Sequence, residues 1–205
     1  KNNIENKISM KKIVTFGEIM GRMASPDFLR LRQCNSFDVT YAGAEASVAV
    51  SIANFSGDVT YVSALPKHAL ADAALDSLRS FGVNTDHVIR SDEGRLGLYF
   101  LETGANQRPS RVIYDRQYST ISLTEPAAYD WDTIFKDAGW IHLSGITPAL
   151  SSLAAESTLI AAKQAKSKNI NVSLDLNFRK NLWNWSENKT SRELAKETMN
   201  KILPY

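Results

Sequence analysis

The order of strand-like and helix-like segments constrains the fold of this 205-residue chain more than any other feature of its sequence. Short apolar runs typical of buried strands alternate with longer stretches in which apolar residues recur at helical spacing. Parallel strands need crossover connections, so this alternation predicts a mostly parallel sheet with helices on its faces. The predicted strands of this sheet are 12–17, 59–64, 88–89, 140–143 and 171–174. We therefore predict an α/β fold.

Three further strand-like segments interrupt this rhythm. Residues 37–41, 96–101 and 111–116 alternate in polarity and have no helices of their own, and the last two flank a loop with Gly, Asn and Pro, as a β-hairpin does. We expect these segments to form a small separate sheet that covers one end of the main sheet as a lid. The lid strands would be inserted near residues 19–41 and 95–117.

Composition excludes several classes of partner. The formal net charge of +2, with no dense block of Lys or Arg, predicts no nucleic-acid surface. No apolar run approaches the roughly 20 residues that span a bilayer, so we expect no membrane segment. Cys34 is the only cysteine, which excludes an intrachain disulfide and favours the cytoplasm. Residues 1–9 are polar and rich in Asn, and we expect them to be a disordered leader or tag remnant ahead of a domain over 10–205.

Three polar residues follow the predicted strand at 171–174. Asp175, Asn177 and Arg179 offer an acceptor, a two-way amide and a forked cation at the kind of strand end where α/β sheets bind ligands. The guanidinium fork matches carboxylate or phosphate oxygens. The alternative is structural, because Asp and Asn also cap turns after strands and an Arg there can be solvated.

The predicted lid and an early turn supply further candidates. Period-two alternation places Tyr114 and Arg116 on one face of a strand, near Tyr99, as a clamp for a small hydroxylated anion. Cross-strand aromatic packing with Arg116 stacked on a tyrosine would give the same pattern. The small residues of 42–47 begin a helix whose N-terminus can approach a ligand or the sheet closely.

Other chemistries have no sequence support. The chain contains no Walker loop, no G-x-S-x-G elbow and no Rossmann glycine fingerprint. His68, His87 and His142 are far apart and have no cysteine partners, so we expect no metal site in this chain.

Taken together, these motifs resemble those of one known family. Over residues 11–205 the chain is similar to the ribokinase-like (PfkB) carbohydrate kinases, and among them to the 2-keto-3-deoxygluconate kinases. The motifs that carry the resemblance are Ile13-Val14-Thr15-Phe16-Gly17-Glu18-Ile19-Met20, Ala42-Gly43-Ala44-Glu45-Ala46-Ser47-Val48-Ala49, Tyr114-Asp115-Arg116, Leu143-Ser144-Gly145-Ile146 and Asp175-Leu176-Asn177-Phe178-Arg179. The resemblance implies a three-layer α/β/α sandwich with a β lid over a sugar site.

The resemblance also implies partners and site residues. It implies ATP and Mg²⁺, a small sugar acid as substrate, and a homo-oligomer formed through the lid. The implied substrate-binding residues are Gly43, Ala44, Glu45, Ala46, Ser47, Tyr99, Tyr114, Asp115, Arg116, Ile146 and Arg179. The implied nucleotide-binding residues are Asn177, Phe178 and Arg179, with Asp175 orienting the loop. The sequence departs from the family's Gly-Gly turn and its following asparagine, where it has Ala42 and Ser47.

The family's catalytic residues have no counterpart among those motifs. The family carries its catalytic aspartate and anion hole in a G-A-G-D segment, which we expect beyond Tyr205. We therefore expect the chain to be an amino-terminal portion of a kinase and to be inactive alone, because phosphoryl transfer depends on positioning and electrostatic stabilisation. The alternatives are a fructokinase or another ribokinase-like sugar kinase, and a non-catalytic sugar-acid binding protein.

Overall fold

A computed structural model describes residues 11–205 of the chain. The expected leader at 1–9 lies outside the described residues, as does Met10. The strands are β1 (Lys12–Phe16), β2 (Met20–Ala24), β3 (Asp38–Ala42), β4 (Val59–Pro66), β5 (Val88–Ser91), β6 (Leu98–Glu102), β7 (Arg111–Asp115), β8 (Ala138–Ser144) and β9 (Asn171–Asp175). The helices are α1 (Ala44–Asn54), α2 (Ala69–Arg79), α3 (Thr120–Leu123), α4 (Trp131–Ile134), α5 (Thr147–Leu150), α6 (Ser152–Ser167) and α7 (Ser191–Ile202), with a 3-10 turn at Pro126–Ala128.

The main sheet has the strand order β5-β4-β1-β8-β9, and every neighbouring pair in it is parallel. Its central strands are apolar because both faces are covered, and β4 is buried along its whole length. The prediction of a mostly parallel sheet is confirmed. Since parallel strands share a direction, their carboxyl ends all lie at one edge of the sheet.

Side chains that alternate along β4 show how the layers are arranged. Val59 and Tyr61 belong to the apolar cluster shared with α1 and α2, whereas Val62 and Ala64 belong to the cluster shared with α6 and α7. Successive side chains of a strand point to opposite faces, so these helices cover opposite faces of the sheet. The three-layer α/β/α arrangement is thereby confirmed.

An aromatic group fixes the carboxyl end of β1. The Phe16 ring makes edge contacts with Tyr129 and Trp131, with ring centroids 5.1 and 5.4 Å apart. Such pairs add about 0.5–1.5 kcal/mol to the free energy gained from burying the rings. This packing therefore holds the carboxyl end of β1 in place, and with it the start of the segment that leads to the lid.

A second sheet has the order β3-β2-β6-β7 and combines antiparallel and parallel pairs. β2, β6 and β7 lie within the two ranges where we placed the lid strands, and β3 ends one residue beyond the first range; β7 is exposed along its whole length. β2 is a central strand of this sheet, although we assigned no individual strand to Met20–Ala24 from the sequence. Arg116 lies one residue beyond β7, which ends earlier than predicted.

The last helix begins with a capping box. The Thr190 side chain accepts a hydrogen bond from the Glu193 amide at 3.3 Å, and the Glu193 carboxylate accepts one from the Thr190 amide at 2.9 Å. These two bonds satisfy amides that the first turn of a helix leaves without partners.

Candidate functional site

A cavity of about 500 Å³ lies where the second sheet meets the carboxyl ends of β8 and β9 and the start of α1. A volume of this size suits a small organic ligand, since such sites usually measure about 300–1,000 Å³. The lining residues are Met20, Ala42, Gly43, Ala44, Ser47, Tyr99, Tyr114, Arg116, Ile146, Phe178, Arg179, Lys180, Asn181 and Leu182.

The floor of the cavity is the turn into α1. Gly43 is the N-cap of this helix and makes no side-chain capping bond, and its carbonyl accepts the Ser47 amide at 2.8 Å. Gly43 also packs against backbone, since a Cβ built there would lie 2.0 Å from the Glu18 carbonyl oxygen. The cavity therefore adjoins the amide end of an eleven-residue helix, which favours negative charge.

Two tyrosines line the cavity from the second sheet. Tyr99 and Tyr114 are directly opposite each other on β6 and β7, with ring centroids 5.9 Å apart. Partial burial raises the pKa of Tyr99, so its hydroxyl stays a neutral donor at ordinary pH. The pair supplies an aromatic wall with hydroxyl groups, which suits a ligand that carries both C–H and O–H groups.

Arg116 adds a cation beside those tyrosines. Its guanidinium carbon lies 5.9 Å from the centroid of the Tyr114 ring, and a terminal guanidinium nitrogen pairs with the Glu18 carboxylate. Both charged side chains are largely buried, with 9% of the Arg116 side chain and 2% of the Glu18 side chain exposed. The stacking that we gave as the structural alternative is therefore present in the same residue that lines the cavity.

The loop after β9 forms the opposite wall. The Asp175 side chain accepts the Asn177 amide at 3.1 Å, and the Asp175 carbonyl accepts the Gly145 amide at 2.8 Å. Asn177 has a left-handed backbone, with φ of 29°. These contacts tie the loop to the end of β8, and the residues that follow turn into the cavity as far as Leu182.

Comparison with known proteins identifies the family. Residues 10–204 match the pfkB family of carbohydrate kinases. The chain belongs to this family.

Several pfkB relatives are similar over most of this chain. The solved structure of a 2-dehydro-3-deoxygluconokinase from Thermotoga maritima is 49% identical, with a TM-score of 0.82, over 85% of this chain and 53% of that one. A 2-dehydro-3-deoxygalactonokinase from Haloferax volcanii is 35% identical over 182 residues, which are 89% of this chain and 57% of that protein. A fructokinase from Xylella fastidiosa, solved with ATP bound, is 26% identical with a TM-score of 0.79, over 94% of this chain and 59% of that one. The chain thus spans little more than half the length of these relatives.

Most of the site residues implied by the pfkB resemblance lie together. The implied residues that line the cavity are Gly43, Ala44, Ser47, Tyr99, Tyr114, Arg116, Ile146, Phe178 and Arg179. The implied residues that do not line it are Glu45, Ala46, Asp115 and Asn177.

Two of the carboxylates outside the cavity have partners of their own. Glu45 is buried on the sheet side of α1, where the hydroxyls of Ser144 and Thr147 donate to it. Burial raises the pKa of the Glu45 carboxyl, although the bond from Ser144 opposes this. Asp115 faces away from the ligand space and forms two bonds, of 2.8 and 2.7 Å, with the Arg95 guanidinium.

The cavity also contains residues that we did not predict. Lys180, Asn181 and Leu182 directly follow the D-x-N-x-R motif and extend the lining three residues beyond the last predicted site residue. Met20 comes from β2, the strand that we did not assign individually from the sequence. Glu18 lies behind the lining, and its position after the Gly17 strand end was the available clue, because polar residues at strand ends are candidates for a site.

Among residues 11–205, no group of three or more His, Cys, Asp or Glu residues could hold a metal ion. In the same residues, no helix is both long and apolar enough to cross a bilayer.

Proposed function

We propose that this chain is the sugar-binding part of an ATP-dependent kinase that phosphorylates a hydroxyl of 2-keto-3-deoxygluconate. The prefix 2-keto denotes the same group as 2-dehydro in the names of the relatives. The observation that carries the proposal is a single cavity that joins the Gly43–Ser47 floor to Tyr114, Arg116 and Arg179.

The charge of the cavity favours an acid over a neutral sugar. Its lining includes Arg116, Arg179 and Lys180 and no carboxylate. A guanidinium binds a carboxylate through two parallel hydrogen bonds, whereas the hydroxyls of a neutral sugar need no cation. The tyrosines and Ser47 supply the hydrogen-bonding groups that sugar hydroxyls require.

The loop after β9 fits the phosphates of ATP. Phe178 and Arg179 line the rim, and Arg179 is exposed and makes no ion pair within residues 11–205. We assign ATP to Asn177, Phe178 and Arg179, where it would supply the phosphoryl group. The described residues offer no donor set for Mg²⁺, so we give them no role in holding it.

We expect no phosphoryl transfer by the 205 residues alone. The sequence contains no G-A-G-D segment, in which the family resemblance places the general base and the anion hole. Catalysis of this reaction depends almost wholly on such groups. Binding and catalysis can therefore be tested separately, and binding is the property proposed for this chain.

The proposal also covers the oligomeric state of the protein and its cellular compartment. We propose a homo-oligomer formed through the second sheet, which acts as the lid. Exposed Val39 on β3 and exposed Val112 and Ile113 on β7 support it, since these are the two edge strands of the sheet and exposed apolar side chains on edge strands favour association. The lone Cys34 fits the reducing cytoplasm.

Isothermal titration of the chain with 2-keto-3-deoxygluconate, fructose and ribose tests the proposal. We expect the acid to bind at least about tenfold more tightly than either neutral sugar, because a charge-assisted hydrogen bond is worth about 1.5–3 kcal/mol. Arg179→Ala should remove most of this preference. Arg111→Ala is the matched control, because Arg111 is exposed on β7 and does not line the cavity.

Three outcomes separate the candidates. Fructose binding as tight as that of the acid would replace the sugar-acid substrate with that of a fructokinase. Absence of heat with every sugar would refute the assignment of sugar binding to this chain. Tight acid binding together with phosphorylation of no sugar by a polypeptide that includes a G-A-G-D segment would favour the non-catalytic binding protein.

A further inference from the structure

The ion pair between Glu18 and Arg116 is the most deeply buried ion pair in residues 11–205. It joins the segment that leaves β1 to the residue that follows β7, and the two residues are 98 positions apart in the chain. Arg116 lines the cavity, whereas Glu18 lies behind it and does not. The pair therefore places a negative charge directly behind one wall of the candidate sugar site.

The Glu18 carboxylate is closely enclosed. A Cβ built on Gly97 would lie 2.8 Å from Glu18 Oε1, so the approach to β6 packs against this oxygen. Within the described residues neither Glu18 Oε1 nor Arg116 Nε has a hydrogen-bond partner. A buried carboxylate needs compensation, and Arg116 is the cation that gives it here.

The three cations of the cavity are therefore not equivalent. Arg116 is charge-balanced by Glu18, while Arg179 and Lys180 are exposed and form no ion pair within residues 11–205. A ligand carboxylate that approaches Arg116 meets guanidinium donors whose positive charge is already offset. Only the two cations of the β9 loop offer the ligand a charge without a protein counter-ion.

We propose that Glu18 is a positioning residue that holds Arg116 at the sugar site and, by balancing its charge, limits the preference of this site for anionic ligands. The inference rests on the proposed function and adds a residue to its substrate specificity. Glu18 fixes the guanidinium so that its remaining N–H groups donate to the ligand. It also lowers the attraction for any anion, including one without the correct hydroxyls. Selection among acids then depends on hydrogen bonds to the rest of the ligand, because a site built to hydrogen-bond a ligand rejects analogues that leave its polar groups unpaired.

The substitution Glu18→Gln separates the two effects of this residue. Its amide oxygen can still accept from Arg116, so the orientation is kept while the negative charge is removed. Isothermal titration should show that Glu18→Gln binds 2-keto-3-deoxygluconate about tenfold more tightly than the wild type does. The removed negative charge lies only one guanidinium group away from the ligand, so its repulsion of a bound carboxylate is of this order. Fructose affinity should stay within about twofold, since a neutral sugar does not respond to the net charge.

Two further variants control the experiment. Glu102→Gln makes the same substitution in another ion pair of the second sheet, with Arg108, and Glu102 does not line the cavity. It should leave the acid-to-fructose affinity ratio unchanged. Glu18→Asp keeps the charge but withdraws it from Arg116, and should raise this ratio about two- to threefold. It replaces Glu18→Gln if that variant does not fold.

The ratio of the two affinities identifies which statement fails. A wild-type chain that prefers fructose refutes the proposed function, whereas a Glu18→Gln ratio equal to the wild-type ratio refutes the role of Glu18, whichever sugar is preferred. Weaker acid binding by Glu18→Gln would also refute it, because the negative charge of Glu18 would then not lower the affinity for anions. If neither sugar binds the wild type, pyruvate serves as a minimal 2-keto acid probe, and equal pyruvate binding or none in both proteins overturns the inference.

Discussion

The substitution Gly43→Ala tests whether the floor of the cavity is set by close backbone packing. Gly43 has an extended backbone, with φ of −163°, which any residue can adopt, so its dihedral angles do not require glycine. A Cβ at this position would lie 2.0 Å from the Glu18 carbonyl oxygen, and real Cβ contacts essentially never fall below 3.0 Å. The start of α1 and the segment after β1 must therefore separate by at least 1.0 Å, the difference between these distances.

The loss of folding stability caused by this separation depends on which groups are forced apart. Both are backbone segments, so no side-chain rotation can relieve the contact, and overpacking of this kind costs about 3 kcal/mol. For a chain of this size that corresponds to a fall of about 6–12 °C in Tm. The displaced floor should also weaken 2-keto-3-deoxygluconate binding about tenfold or more, because a 1 Å misplacement of binding groups has effects of this order.

Gly82→Ala is the matched control. Gly82 has a left-handed φ of 83°, and a Cβ there would meet nothing within 4 Å. This variant should lose about 1 kcal/mol through backbone strain alone, or about 2–4 °C in Tm, and keep its sugar affinity. Thermal unfolding and isothermal titration of both variants give the comparison. Wild-type stability and affinity in Gly43→Ala would show that the two segments separate freely, and the reasoning would be refuted.

Two further predictions concern stability. Burial raises the pKa of Glu45 above its ordinary 4.5, so the folded state holds the proton more tightly than the unfolded state does. This adds to the free energy of unfolding in full below pH 4.5, and the contribution is lost as the pH rises through the raised pKa. The side chain in Glu45→Gln cannot titrate, so the stability of the variant relative to the wild type should increase as the pH rises. Urea unfolding of both proteins at successive pH values measures this, and a stability difference that does not change with pH would contradict the prediction. Thr190→Ala removes the capping box of α7 and should cost about 1 kcal/mol, seen as a lower urea midpoint at unchanged slope, whereas an unchanged midpoint would show that the cap contributes nothing.

The order of the main elements could be predicted because it depends on local patterns. The apolar runs of β1, β4 and β8 are strand signals in themselves, and the intervening helical periodicity requires parallel connections. β2 escaped assignment because its sequence, Met-Gly-Arg-Met-Ala, has neither regular alternation nor β-branched residues. Its place between β3 and β6 comes from pairing with distant strands, and β-propensity depends strongly on such context.

The site could be predicted only as a set of positions, because the sequence does not show which side chains face each other. Glu45 lies in the motif that forms the floor, yet its carboxyl is directed to Ser144 and Thr147, about one hundred residues away in the chain. Arg116 was predicted as part of an anion clamp, and its pairing with Glu18 depends on how the second sheet meets β1. Contacts of this separation leave no periodic pattern in the sequence.

The end of β1 connects the tyrosine–arginine wall of the cavity to its floor. Glu18 binds Arg116 on the second sheet through its side chain, and its carbonyl packs against Gly43 at the start of α1. The preceding residue, Gly17, accepts the Tyr61 hydroxyl at 2.7 Å through its carbonyl and lies against the Glu45 carboxyl. Two consecutive residues therefore fix the lid cation, the helix floor and the main sheet relative to one another. A shift of this backbone would move the tyrosine–arginine wall and the Gly43–Ser47 floor together, so we expect substitutions that displace it to change sugar affinity even though neither residue lines the cavity.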